Sequence, residues 1–373
     1  MKVVILSKAL QSVAYRRKTD AIAATPGIDL TVVVPPTWDE PRAAQVRYEN
    51  GPTPGYRVIQ TPIWHNGHHH THWYPKFGAI VRAIRPDVVH VDEEAFNFAT
   101  YTALRAAHAV GAKTCFYNYA NIERRYPPPF GWFEQYAYRT VAHAVACSHE
   151  AAAIIRGHGY SGPLSILPQT GVDPEHYSPV PSDSARDGFT LGYVGRFVPE
   201  KGIGDLVAAL ALLEPRYRLV LVGAGSDEAR LRALADTLGV AGRITWHAPV
   251  PTTEVPAVMR AFDALVLPSR TTSNWKEQFG RVIIEAMACG VPVIGSSSGE
   301  IPHVVGDGGI VYLEGDTTAL AAAVRRLGGD PQLQAAYAQA ARARVLAHYT
   351  QTAVAAQYVS LYRSMLESVH GAK

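Results

Sequence analysis

At 373 residues the chain is too long for one ordinary domain and suits two. Its 47% hydrophobic and 18% charged residues describe a globular protein and exclude a disordered one. A formal charge of +3 makes no bulk case for nucleic acid, and three scattered cysteines (Cys115, Cys147, Cys289) without CxxC spacing argue against a disulfide framework or a zinc site.

The opening apolar run at 2–7 is too short for a signal h-region and reads as a strand, and no run reaches membrane-spanning length. A reducing, cytoplasmic location is expected, with peripheral contact at the inner face of a membrane as an option. Residues 9–24 carry apolar positions at helical spacing, and 29–35 is another strand-like run. Strand, helix, strand is the opening of a parallel sheet. The rhythm continues with strands at 86–91, 113–117, 144–148 and 165–167, and helices at 95–110, 130–143 and 149–158. Residues 168–188 hold four prolines and little apolar character, and read as a hinge. The rhythm then restarts, with strands at 189–194, 217–222, 243–247, 264–267 and 292–295. Helices are predicted at 204–213, after a Ser226 cap, and at 253–261, 281–288 (stopped by Gly290), 317–327, 331–347 and 351–368.

Three segments of the second half can carry chemistry. In Gly195-Arg196-Phe197-Val198-Pro199-Glu200-Lys201-Gly202, two glycines let the backbone turn, and Arg196 and Lys201 put two cations at a strand's carboxyl end. A diphosphate suits that pair, and a solvated loop is the alternative. In Glu277-Gln278-Phe279-Gly280-Arg281-Val282-Ile283-Ile284-Glu285, Gly280 lies at a helix N-terminus, where free N–H groups favour phosphate. Glu277 and Glu285 flank it and can accept hydrogen bonds from sugar hydroxyls, or are a helix-start acid and a solvated residue. Ile283, Ile284 and Met287 make the helix largely buried, and a buried Glu285 needs a partner. Ser296-Ser297-Ser298-Gly299-Glu300-Ile301 is a hydroxyl-rich turn at a third strand end, able to hold a sugar or phosphate, or simply a turn.

In that order, GRFVPEKG, VGAGSDEARLRALADTLGV, EQFGRVIIE, EAMACGVPVIGSSSGEIP and GDGGIVY resemble family four of the retaining glycosyltransferases over residues 189–330. The first half resembles it more weakly, through PDVVHVDEE and ILPQTGVDPEHY. The resemblance implies the GT-B fold: two Rossmann-like α/β domains facing each other across a cleft, the C-terminal helix crossing back to the N-terminal domain. Expected boundaries are 1–170 for an acceptor-side domain, 171–350 for a nucleotide-sugar-binding domain and 351–373 for the returning helix. Arg196 and Lys201 are then expected to stabilise the departing nucleoside diphosphate, Glu277 to contact the donor sugar, and Glu285 the ribose. Phe279, Gly280, Gly299, Glu300 and Ile301 complete the donor pocket. The implied activity is retaining transfer from a nucleotide-sugar to a glycan, lipid or small-molecule acceptor. No cofactor and no metal are expected, since cations stabilise the leaving group and no Asp-x-Asp clamp is present.

The chain departs from the family in its first half. Lys8 stands in the loop after the first strand where many members have Gly-Gly, and His90-Val91-Asp92-Glu93-Glu94 stands where an HxH-like segment is usual. Lys8, Asp92 and Glu93 are acceptor-side candidates, with Asn118 and Asn121 after a later strand. Five histidines in residues 65–72 are expected to form a cleft-facing loop with His70 and His72 toward substrate, a metal site being the alternative. The basic-aromatic run 124–139 reads as a helix packing its aromatics, or as a contact for a lipid-linked acceptor. Rival functions are a GT-B-fold sugar-nucleotide epimerase or phosphorylase, a non-catalytic nucleotide-sugar binder, and an NAD-dependent oxidoreductase using Gly223-Ala224-Gly225, whose third GxGxxG position is Glu228.

Overall fold

A computed structural model describes residues 1–40, 45–180 and 188–367. The expected hinge at 168–188 lies partly outside these, as does the end of the expected last helix. The chain divides into two compact units, Met1–Gly171 with Gln351–Lys373, and Val172–Thr350.

The first unit alternates β1 (Lys2–Leu6), α1 (Val13–Ala23), β2 (Asp29–Val34), the short pair β3 (Thr37–Trp38) and β4 (Val46–Arg47), β5 (Tyr56–Gln60), α2 (Phe77–Ile84), β6 (Val88–Val91), α3 (Phe98–His108), β7 (Lys113–Asn118), α4 (Phe130–Thr140), β8 (His143–Ala146), α5 (His149–Gly157) and β9 (Leu164–Ile166). Seven strands form one parallel sheet in the order β5-β2-β1-β6-β7-β8-β9. The central strands are apolar runs without alternation because helices cover both faces of a parallel sheet. β5 escaped the sequence pattern because Tyr56-Arg57-Val58-Ile59-Gln60 sits at the sheet edge and is only partly buried.

The second unit runs β10 (Phe189–Val194), α6 (Ile203–Ala211), β11 (Tyr217–Val222), α7 (Glu228–Thr237), β12 (Ile244–His247), α8 (Val255–Met259), β13 (Ala264–Leu267), α9 (Arg281–Ala288), β14 (Val293–Ser296), α10 (Ile301–Val305), β15 (Gly309–Tyr312), α11 (Thr317–Gly328) and α12 (Pro331–His348). Its six strands are parallel in the order β12-β11-β10-β13-β14-β15. Helix α7 starts after Asp227, not Ser226. The Asp227 N–H is drawn to Phe197 O at 2.9 Å and its carboxylate pairs with Arg230, so that turn closes one residue later than the serine suggests. The final helix α13 (Gln351–Glu367) returns to the first unit and packs most heavily on α1, with Val354, Tyr358 and Tyr362 fully buried.

Candidate functional site

In both units the polar residues of interest gather where parallel strands end. In the second unit, β10, β13 and β14 are neighbours and send three loops from the same edge. The loop after β10 holds Arg196, then a single 3-10 turn, Pro199–Lys201, then Gly202 at φ +64. A Cβ on Gly202 would stand 2.0 Å from Pro268 O, so only glycine lets this loop lie against the segment after β13. Arg270 N–H, donating to Glu200 O at 2.9 Å, ties the same two loops.

Glu277 is where the three loops meet. Its Oε2 accepts from Lys201 Nζ at 2.6 Å and from the fully buried Ser269 hydroxyl at 2.8 Å. Its backbone O accepts from Glu300 N–H at 3.0 Å. Gly299 (φ +53) makes that approach possible, since a Cβ there would fall 2.1 Å from Glu277 O. Glu277 Oε1 makes no hydrogen bond to any described residue, nor does the exposed Arg196 guanidinium. Trp275, half-buried, lays its ring 4.8 Å from Lys201 Nζ. Gly280 (φ +73) begins α9 with Leu267 and Ile283 filling the space a Cβ would need, and Phe279 is partly buried against Tyr349. Glu285, buried on α9, finds its required partners in Arg281 at 2.8 Å and the Tyr177 hydroxyl. Burial pushes its carboxyl up, against the pull of Arg281 and Tyr177. Ile301 is fully buried at the start of α10.

The glycines that suggested a dinucleotide loop are filled by protein. A Cβ on Gly223 would meet Gly195 O at 1.9 Å and one on Gly225 would meet Phe197 O at 2.1 Å. Phe197 N–H donates to Ala224 O at 2.8 Å. The run accommodates the Arg196 loop, and its small residues serve that contact.

In the first unit the pairing of β1 with β6 sets Leu6 opposite Val91, so Ser7-Lys8 and Asp92-Glu93 emerge side by side. Ser7 and Tyr119 hydroxyls each donate to Asp92 at 2.6 Å. Glu93 has no exposed surface, and is held by Lys8 Nζ at 2.5 Å, His72 Nε2 at 3.3 Å and Asn97 Nδ2 at 3.2 Å. Burial alone would raise its carboxyl, but Lys8 and His72 outweigh that and hold it down at about 2. Burial lowers the Lys8 ammonium, but Glu93, Glu94 and Asp92 together more than restore it, so it too stays charged. Glu93 and the equally buried His72 are closed off from solvent, whereas Lys8 keeps part of its side chain exposed.

The histidine tract does not converge. His70 is exposed and packs on Phe96, Tyr126 and Phe130, His69 lies 3.8 Å from Glu40, and His72 points inward. Asn118 Nδ2 is turned to Ala120 O at 3.1 Å, and Asn121 is buried nearby in sequence. On α4, Phe133 stacks on Tyr101, while Trp132 is 68% exposed. Sequence reasoning missed Ser269, Trp275 and Tyr177, and only the position of Ser269 directly beyond a strand end could have flagged it.

Two family models match the chain: Glycosyltransferase Family 4 over residues 21–176 and Glycosyl transferases group 1 over residues 179–344. The second half of the chain thus belongs to the glycosyl transferases of group 1 and the first half matches Glycosyltransferase Family 4. It is 36% identical over 199 residues to a GDP-mannose-dependent alpha-(1-6)-phosphatidylinositol monomannoside mannosyltransferase of Mycolicibacterium smegmatis, covering 49% of this chain and 52% of that one. A D-inositol 3-phosphate glycosyltransferase of Stackebrandtia nassauensis is 36% identical over 192 residues, 46% of this chain and 42% of that one. The match thus spans about half the length of these relatives or less. In structure the chain resembles Anabaena HepE in complex with UDP, with a TM-score of 0.72 at 19% identity, covering 98% of this chain and 100% of that one. At that identity the likeness speaks for the GT-B fold.

Proposed function

We propose that this chain is a retaining glycosyltransferase that moves a sugar from a nucleoside-diphosphate sugar, held by the second unit, to a hydroxyl-bearing acceptor, without a divalent metal. The observation that carries the reading is the Lys201–Glu277 ion pair at the ends of β10 and β13, beside an Arg196 guanidinium with no partner among the described residues. Cleaving the anomeric bond leaves negative charge on the diphosphate and positive character on the sugar. Lys201, Arg196 and the N-terminus of α9 stabilise the first as it develops. Glu277 keeps Oε1 for a donor-sugar hydroxyl, and Glu285 is assigned to the ribose. The acceptor hydroxyl attacks on the face the diphosphate leaves and passes its proton to the departing phosphate oxygen, which retains configuration. Lys8, His70, Asn118 and Asn121 are assigned to the acceptor side.

The relatives support a nucleotide-sugar donor: one depends on GDP-mannose, and HepE was solved with UDP. The filled space above Gly223 and Gly225 weighs against the oxidoreductase. Among the described residues no helix is long and apolar enough to cross a membrane. Exposed Trp132, Arg124, Arg125 and Arg139 suit light contact with an anionic lipid surface.

The test is Glu277→Ala, assayed for transfer with GDP- and UDP-sugars. Turnover should fall at least about 100-fold while the protein stays folded, and a variant turning over like the wild type would sink the site assignment.

A further inference from the structure

Lysine carries its charge on a flexible four-carbon stem, so an ammonium that acts on developing charge has to be held in place. Lys201 Nζ is held on two sides. Glu277 Oε2 lies at 2.6 Å, and the Trp275 ring centroid at 4.8 Å. The place of the indole is set by a tight reversal: Thr272 N–H donates to Trp275 O at 2.8 Å, and the two residues form an isolated antiparallel bridge. One residue separates Trp275 from Glu277, so this reversal delivers both partners of the cation together.

We propose that Trp275 is a positioning residue of the donor site, its indole face clamping the Lys201 ammonium against Glu277 so that the remaining N–H is aimed at the departing diphosphate. This rests on the reading of Lys201 as a diphosphate ligand. Tryptophan offers a cation the most attractive ring face, phenylalanine keeps a weaker one, and leucine has the bulk without the quadrupole. The clamp and mere packing therefore make different demands on the side chain.

The full chain and its Trp275→Phe and Trp275→Leu variants would be titrated with GDP and with UDP by calorimetry, with melting temperatures checked alongside. The diphosphate that binds the wild type should bind Trp275→Leu roughly 3- to 10-fold more weakly and Trp275→Phe within about twofold of the wild type. With the matching sugar donor, Trp275→Leu should lose more in kcat than it gains in KM, because the ammonium matters most as charge develops. Leucine and phenylalanine variants of equal affinity, weak or strong, would overturn the clamp while leaving the donor site standing. No binding of either diphosphate to the wild type would overturn the donor reading and the clamp with it.

Discussion

Lys18 shows how one buried charge bears on stability. It sits on α1 with 5% of its surface exposed, its ammonium 4.2 Å from the Tyr358 ring and without a hydrogen bond or ion pair among the described residues. Burial pushes it down to about 8, against the pull of Asp92. A lysine depressed in the fold binds its proton less readily there than when unfolded. The cost is fully present below about pH 8 and fades as pH rises toward 10.5. Lys18→Met should therefore stabilise the protein at pH 7 by about 3 kcal/mol, the gain vanishing near pH 10.5. Denaturant unfolding across that range checks this, and a pH-independent difference would contradict it. At the donor side, Gly299→Ala is expected to break the Glu300 N–H to Glu277 O contact, because its Cβ would overlap that oxygen. Nucleoside diphosphate affinity should drop about tenfold or more with the fold retained, as calorimetry would read.

Elements matter here through what they bring together. The three loops after β10, β13 and β14 were each weak signals in the sequence, where a solvated loop, a helix-start acid and a serine-rich turn were all open readings. Parallel pairing made them neighbours, and glycines 202 and 299 let their backbones touch. Helix α13 is a second case. Tyr358 stacks on His90 with centroids 5.5 Å apart, caps Lys18 and donates to Pro168 O at 3.2 Å. Tyr358→Ala should cost about 3–5 kcal/mol of first-unit stability, and Tyr358→Phe about 1 kcal/mol. Equal losses in the two variants would mean that the ring packing contributes little.

The molecule has two cores, one per unit, each built round its own parallel sheet. Ligand linkage should act through the second. GDP or UDP at about 100 times its Kd should stabilise the protein by roughly 2.7 kcal/mol. The shift in melting midpoint should persist in chelator, and its loss with rescue by a divalent ion would overturn metal independence. A shift with NAD alone would instead promote the oxidoreductase.

The sequence by itself determined the α/β rhythm and nearly every strand of both sheets, because buried parallel strands are written as short apolar runs between helical repeats. It also singled out Arg196, Lys201, Glu277 and Glu285 as candidates, the first two as cations beside glycines after a strand and the glutamates as acids flanking a helix-start glycine, all local signals. The tertiary structure decided the partners. That Lys201 pairs with Glu277 across 76 positions, that Glu93 is sealed behind Lys8, and that Gly223 and Gly225 receive a neighbouring loop all follow from sheet order and close backbone approach. Those depend on residues far apart in the chain, and no local periodicity encodes them.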